Sequence, residues 1–171
     1  LAKCSTSTRD MLIIFLLLRD LVKSHPLIPL EIFTHHFTYL MQFIQDNSET
    51  LIKAADAMNI ATQALAVTTR ILIERFLEKG QSGNLNVILQ AIQNLFGMND
   101  VKQMVALQFM AALVQSFSEP FPHLQLSEQN QLKAVFQEHF LSEFLKPTHD
   151  IVLNANDDRL IMALRLLEYC F

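Results

Sequence analysis

A chain of 171 residues in which 51% of the side chains are apolar can bury one substantial core, and with only 3 Gly and 5 Pro it has little material for the many turns of a β-rich fold. Its net charge is −4, and its Lys and Arg are scattered rather than clustered, which excludes nucleic acid as the main partner because no patch could displace counterions from a phosphate backbone. The mild acidity (pI near 5.8) is compatible with a basic protein partner without arguing for one, and the mean hydropathy of +0.25 requires many positions buried between helices or against further chain.

The apolar residues are mainly Leu, Ile, Ala, Phe and Met, a helix-forming set, and the breakers fall one or two helix lengths apart. A first helix is expected from Arg9 to Ser24, with Thr8 as N-cap and Pro26 and Pro29 blocking its continuation. It contains the most apolar run, Met11 to Leu18, which at eight residues is far short of the roughly 20 that a membrane span needs. Arg19-Asp20 follows directly where a signal peptide would need small residues, so the run reads as a buried helix. A second helix begins near Pro29, with Ile32, Phe33, Phe37, Leu40, Met41 and Ile44 on one face, and Asp46-Asn47 is expected to end it.

Ser48 is the expected N-cap of a long helix from Leu51 to Lys79, bent near Asp56 to Asn59 and stopped at Gly80. Gln81-Ser82-Gly83 reads as a loop, and Asn84 as the cap of a short helix that runs through Phe96 to a stop at Gly97. Asn99 or Asp100 caps the next, through Phe117, with Val101, Val105, Phe109, Ala112 and Leu113 as one apolar stripe beside the small Ala106 and Ala111. Pro120 and Pro122 open the longest loop, Ser127 is the expected cap of a following helix, and Pro147 is expected to interrupt near Lys146. A last helix starts at Asp157.

This succession predicts an all-α fold of antiparallel helix pairs, and a right-handed α-α superhelix of HEAT or armadillo type accounts for it better than a closed bundle. Several helices are apolar on more than one face, as stacking between neighbouring repeats demands. The chain begins at Leu1 and ends at Phe171 inside an apolar pattern, so a single helical-repeat domain over 1–171, cut from a longer chain, is expected.

Chemistry-bearing constellations are scarce. His35 and His36 are adjacent and point about 100° apart on a helix, and His139 and His149 are separated by Pro147. No H-E-x-x-H or C-x-x-C spacing occurs, and no G-x-S-x-G elbow. Cys4 and Cys170 lie at opposite ends and read as free thiols of a reducing compartment, Cys170 being the one cysteine nucleophile worth naming on an apolar helix that would bury it. No catalytic, cofactor or metal residue is therefore assigned, and no cofactor is expected. The 13 Phe and 7 Met read as core, with some free to line a groove for a partner helix. Asp56, Asn59, Thr62, Gln63, Gln103, Gln108 and Gln115 read as solvated faces, or as contact residues if they line a concave side.

From Ala66 to Phe144 the sequence reads ALAVTTRILIERFLEKG, VILQAIQNLFGMND, VKQMVALQFMAALVQSFSE and LKAVFQEHFLSEF. This resembles the amino-terminal repeats of the exportin-4 and exportin-7 group of the karyopherin (importin-beta) superfamily. The matching features are Lys79-Gly80, Asn99-Asp100, the polar tail Gln115 to Glu119, and Phe136-Gln137-Glu138 after a long loop; the Leu-rich LIMALRLLEYCF resembles the helix that closes the region. The likeness covers about half to two thirds of the chain and consists of short patterns. It implies a nuclear export receptor that shuttles between nucleus and cytoplasm. Its partners would be Ran-GTP and protein cargo, with nucleoporins as further partners, and it would have no membrane insertion. No family contact residue maps onto a position here. Two other readings stand beside this one: another HEAT/armadillo-like or MIF4G-like scaffold without Ran binding, and an enzyme's accessory or regulatory domain.

Overall fold

The computed structural model describes residues 29–97, 99–119 and 124–170, together with Ile13, Leu16 and Leu17. Apart from those three helical positions, the expected helix from Arg9 to Ser24 lies outside the described residues, as do Cys4 and the Pro120 and Pro122 loop. Among the described residues every regular element is helical: α1 (Leu30–Leu51), α2 (Ala55–Glu78), a 3-10 turn (Ser82–Asn84), α3 (Leu85–Gly97), α4 (Asp100–Ser118), α5 (Leu126–Val135), a π-helical turn (Phe136–Leu141), α6 (Ser142–Asn154) and α7 (Asp158–Cys170). None of these helices is long and apolar enough to cross a membrane.

The packing has a simple order. α2 lies along α4, and α4 lies along α7, forming a row of three. Each member of the row carries the helix that precedes it, α1 on α2, α3 on α4 and α6 on α7. The connections inside these pairs are residues 52–54, 98–99 and 155–157, too short for anything but antiparallel neighbours. α4 is the centre, since α1 also reaches it. Its burial is correspondingly broad. Val105, Ala106, Leu107, Phe109, Met110, Leu113, Val114 and Phe117 are all buried, whereas Val101 and Ala112 of the expected single stripe are only half-buried. A helix enclosed on several sides needs apolar residues around its circumference, and a stripe criterion understates it.

Short side chains let the row close up. Ala61, Ala64 and Ala66 of α2 and Ala106 of α4 are at most 1% exposed. Thr62, Thr68 and Thr69 are buried with them, which corrects the placing of Thr62 on a solvated face. Their hydroxyls donate within the helix, to the carbonyls of Met58 (2.8 Å), Ala64 (2.9 Å) and Leu65 (2.7 Å), so burial leaves no polar atom stranded.

Several boundaries differ from the sequence reading. α1 does not stop at Asp46-Asn47 but runs on to Leu51, and the Asn47 side-chain amide donates back to the carbonyl of Phe43 at 2.8 Å. Ser48 is no cap; it is buried in that helix and donates to the carbonyl of Gln45. The break expected near Asp56 to Asn59 comes instead at 52–54, before α2 begins. Ile32, expected on the apolar face, is exposed. The next cap is Gln125 rather than Ser127, its backbone N–H held at 2.7 Å by the carboxylate of Glu128. Other signals hold: Asn99 accepts from the N–H of Lys102 at 2.9 Å, and Asp157 accepts from that of Arg159 at 3.0 Å. Gly80, at φ 65°, ends α2 with Gln81 N–H bonded to Phe76 carbonyl and Gly80 N–H to Leu77 carbonyl, the paired bonds of a Schellman stop.

Pro147 does not interrupt. It lies inside α6, which continues to Asn154. Phe140 and Phe144 before it and Thr148 and Ile151 after it are all buried, and holding that face against α3 and α7 outweighs the missing backbone bond. The cost should be visible. Pro147→Ala is expected to stabilise the chain by about 2 kcal/mol, about 3 regained in the helix less up to about 1 lost from unfolded-chain entropy. Urea unfolding checks this, and an unchanged or lower midpoint would show that the packing requires the proline's bend.

Candidate binding surfaces

One concavity follows from the offset of the pairs. α1 packs on α2 and α3 on α4, with no extensive contact between α1 and α3. The gap they leave over the carboxyl-terminal end of α2 is a groove of about 670 Å³. Phe37 and Met41 of α1, Leu72 and Phe76 of α2, and Ile88 of α3 form its floor, all nearly buried. Val87 forms part of the α3 wall and is 69% exposed. The polar lining comes from Glu31, Thr34, His35, Thr38, Gln42, Gln45, Gln81 and Asn84. Four of these are already engaged within α1: Thr34 and Thr38 donate to the carbonyls of Leu30 (3.1 Å) and Thr34 (3.0 Å), His35 Nδ1 lies 2.7 Å from the Glu31 carbonyl, and Gln42 donates to Asp46 at 2.9 Å.

The walls have an unusual charge content. α1 and α3 contain no Lys or Arg, and their carboxylates are Glu31, Asp46 and Glu49, all on α1. This was legible in the sequence, but nothing there showed that these two helices face one gap. Phe37, Met41 and Phe76 are the core aromatics and methionines that double as groove lining.

A smaller cleft of about 100 Å³ lies on the α2–α4–α7 row. Asn59, Gln108 and Gln115 line it with Arg165 and Tyr169, which joins three of the polar residues singled out as contact candidates. Gln103 is drawn elsewhere. It accepts at 2.9 Å from Arg159, whose guanidinium also bonds Asp157 at 3.0 Å and pairs with Asp100. That arginine ties the start of α7 to the start of α4. Its bond to Asp157 holds that carboxyl below the usual range, with its charge adding to the effect. At the other end of α4, Arg70 of α2 donates to the carbonyls of Ser116 and Glu119 and lies 3.9 Å from the Glu119 carboxylate. A cation at a helix carboxyl end meets the negative pole of the backbone dipoles. Both ends of the central helix are thus fastened by arginines from its two row neighbours.

The titratable groups follow their surroundings. Among the described residues no three of His, Cys, Asp and Glu come together as a metal-binding group. Cys170 is half-buried, and burial pushes its thiol up, away from the thiolate that a nucleophile needs. His36 is half-buried on α1, and burial lowers its imidazole below the usual value of about 6.5. The unfolded chain then binds the proton more readily than the folded one. Stability is complete above the unfolded pKa and declines as pH falls through about 6.5. The urea midpoint is expected to drop between about pH 7.5 and 5.5, and His36→Gln to flatten that slope; an identical slope in the variant would assign the effect to other groups.

No family model, no curated protein and no solved structure matches the chain.

Proposed function

We propose that this chain is a helical-repeat scaffold that binds other proteins, and that it forms the amino-terminal part of a nuclear export receptor of the exportin-4 and exportin-7 group. The observation that carries the scaffold reading is the row α2, α4, α7, each member bearing its own antiparallel partner. Three pairs stacked in this way support the reading as a right-handed α-α superhelix, in which each repeat packs on the one before. The final pair supports the same reading. Ile161 and Leu164 of α7 are 53% and 50% exposed, and Leu153 of α6 is exposed too, as on a repeat whose outer face meets another.

The assignment to nuclear export rests on the resemblance between Ala66 and Phe144. Within it, the chain contributes to a surface for Ran-GTP while cargo is enclosed by the longer superhelix, and the receptor shuttles between nucleus and cytoplasm. Ran-GTP and cargo each favour the same curvature, so binding of one strengthens binding of the other. The reading includes no catalytic step.

Titration of the chain with Ran loaded with a non-hydrolysable GTP analogue or with GDP tests it. At least tenfold tighter binding of the GTP form is expected. Equal affinities, or no binding of either form, would remove the Ran reading and leave the alternative, a HEAT/armadillo-like or MIF4G-like scaffold without Ran. Small-angle scattering addresses the architecture separately: an elongated, curved particle is expected, and a compact sphere would overturn the superhelix.

A further inference from the structure

We infer that the groove between α1 and α3 is a docking site for an amphipathic helix of another protein, one that carries basic residues along the flanks of its apolar face. The inference stands apart from the Ran reading, since it uses only the groove's dimensions, lining and charge.

The length comes first. The lining follows α1 from Leu30 to Gln45, about 22 Å of axis at 1.5 Å per residue, which seats roughly four turns of a second helix. The floor then decides the chemistry of the seated face. Phe37, Met41, Leu72, Phe76 and Ile88 present carbon and sulfur at the base of an open trough, and Val87 continues that surface up one wall. An apolar trough of this length favours side chains at i, i+3, i+4 and i+7 of a helix, with methionine and phenylalanine adjusting to their shapes.

The walls decide the flanks. Across the 22 residues of α1 and the 13 of α3 there is no Lys or Arg, while Glu31 lines the groove at one end and Asp46 is bonded to the lining Gln42. A helix lying between these walls therefore meets the Glu31 carboxylate in the lining, Asp46 close to the lining Gln42, and no Lys or Arg on either wall. Lysine or arginine beside its apolar face gains from that field, and carboxylates in the same places are repelled.

The test uses the full chain and three 16-residue peptides tagged with a fluorophore: an amphipathic Leu/Lys helix, its Leu/Glu counterpart, and a Leu/Lys peptide of the same composition with the apolar spacing scrambled. Anisotropy titrations should give saturable binding of the Leu/Lys helix, with at least tenfold weaker binding of the other two. Val87→Lys, a substitution at an exposed site that leaves the helical spectrum unchanged, should weaken the Leu/Lys helix at least tenfold. Glu31→Lys should narrow the preference for basic over acidic peptide. Leu126→Lys, on exposed α5 away from the groove, should have no effect. Equal binding of all three peptides, or binding unaffected by Val87→Lys, would overturn the inference. Failure of the Leu/Lys helix to bind would do the same, because the groove would then be closed to an outside helix.

Discussion

Replacing Phe109 by alanine is expected to cost about 4 kcal/mol of folding stability, a large share of the 5–15 kcal/mol that a domain commonly has. Phe109 is fully buried near the middle of α4, and α4 is the helix on which α1, α2, α3 and α7 all converge. Truncation there removes a ring's worth of apolar burial and leaves a cavity. The surrounding core is already packed, and the buried residues one turn away on α4, Ala106 and Leu113, cannot move to fill it without losing their own contacts. With a urea dependence near 2 kcal/mol per molar, the midpoint should fall by about 2 M. Leu126→Ala, at a position 73% exposed, supplies the comparison and should change stability by less than about 0.5 kcal/mol. A loss below about 1 kcal/mol for Phe109→Ala would mean that α4 is not enclosed as described.

The second large effect is expected at Arg70. Its side chain is only 12% exposed, and it donates to backbone carbonyls at the carboxyl end of α4. Burial lowers its pKa, while Glu119 and Glu74 raise it, and Glu74 is itself buried. Arg70→Met would keep the bulk of the stem but remove the donors and the charge. The carbonyl of Ser116 would lose its guanidinium partner, and Glu74 a nearby cation, together worth about 3 kcal/mol. Arg70→Lys should recover only part of this, since one ammonium cannot reproduce a planar fork that spans two carbonyls and a carboxylate. Arg70→Met/Glu74→Gln should be less destabilised than Arg70→Met alone, because the buried carboxylate is then gone. Denaturant unfolding of the four chains decides it. A double variant no better than the single one would show that the arginine acts only through the end of α4.

Helical class and most helix ends were legible because they depend on local signals. Gly80 stops α2 for a reason contained in a few residues: only a residue without Cβ easily holds φ near 65° while Gln81 and Gly80 bond back to Phe76 and Leu77. Asn99 and Asp157 begin their helices through bonds that reach two or three residues ahead. Where the sequence reading missed, a distant contact had overridden a local preference. Asp46-Asn47 and Ser48 look like a stop and a start, yet Ile44, Ser48 and Leu51 are buried together and hold α1 helical past them. Pro147 looks like an interruption, and Phe144, Thr148 and Ile151 keep the helix running through it. The binding surfaces were less legible still. Asn59, Gln108 and Gln115 could be named as polar, but that they share one cleft with Arg165 and Tyr169 depends on α2, α4 and α7 lying side by side.

By itself the sequence determined that this protein is helical and where most of its helices begin and end, since capping, glycine stops and apolar spacing act within about one turn. Only the tertiary structure decided that α4 is the enclosed centre, that arginines from two neighbours fasten its ends, and that α1 and α3 stand apart to leave a groove lined by no Lys or Arg. Those features arise between residues as many as 59 positions apart, as in the Arg159–Asp100 pair, and a pairing at that distance has no trace in local periodicity.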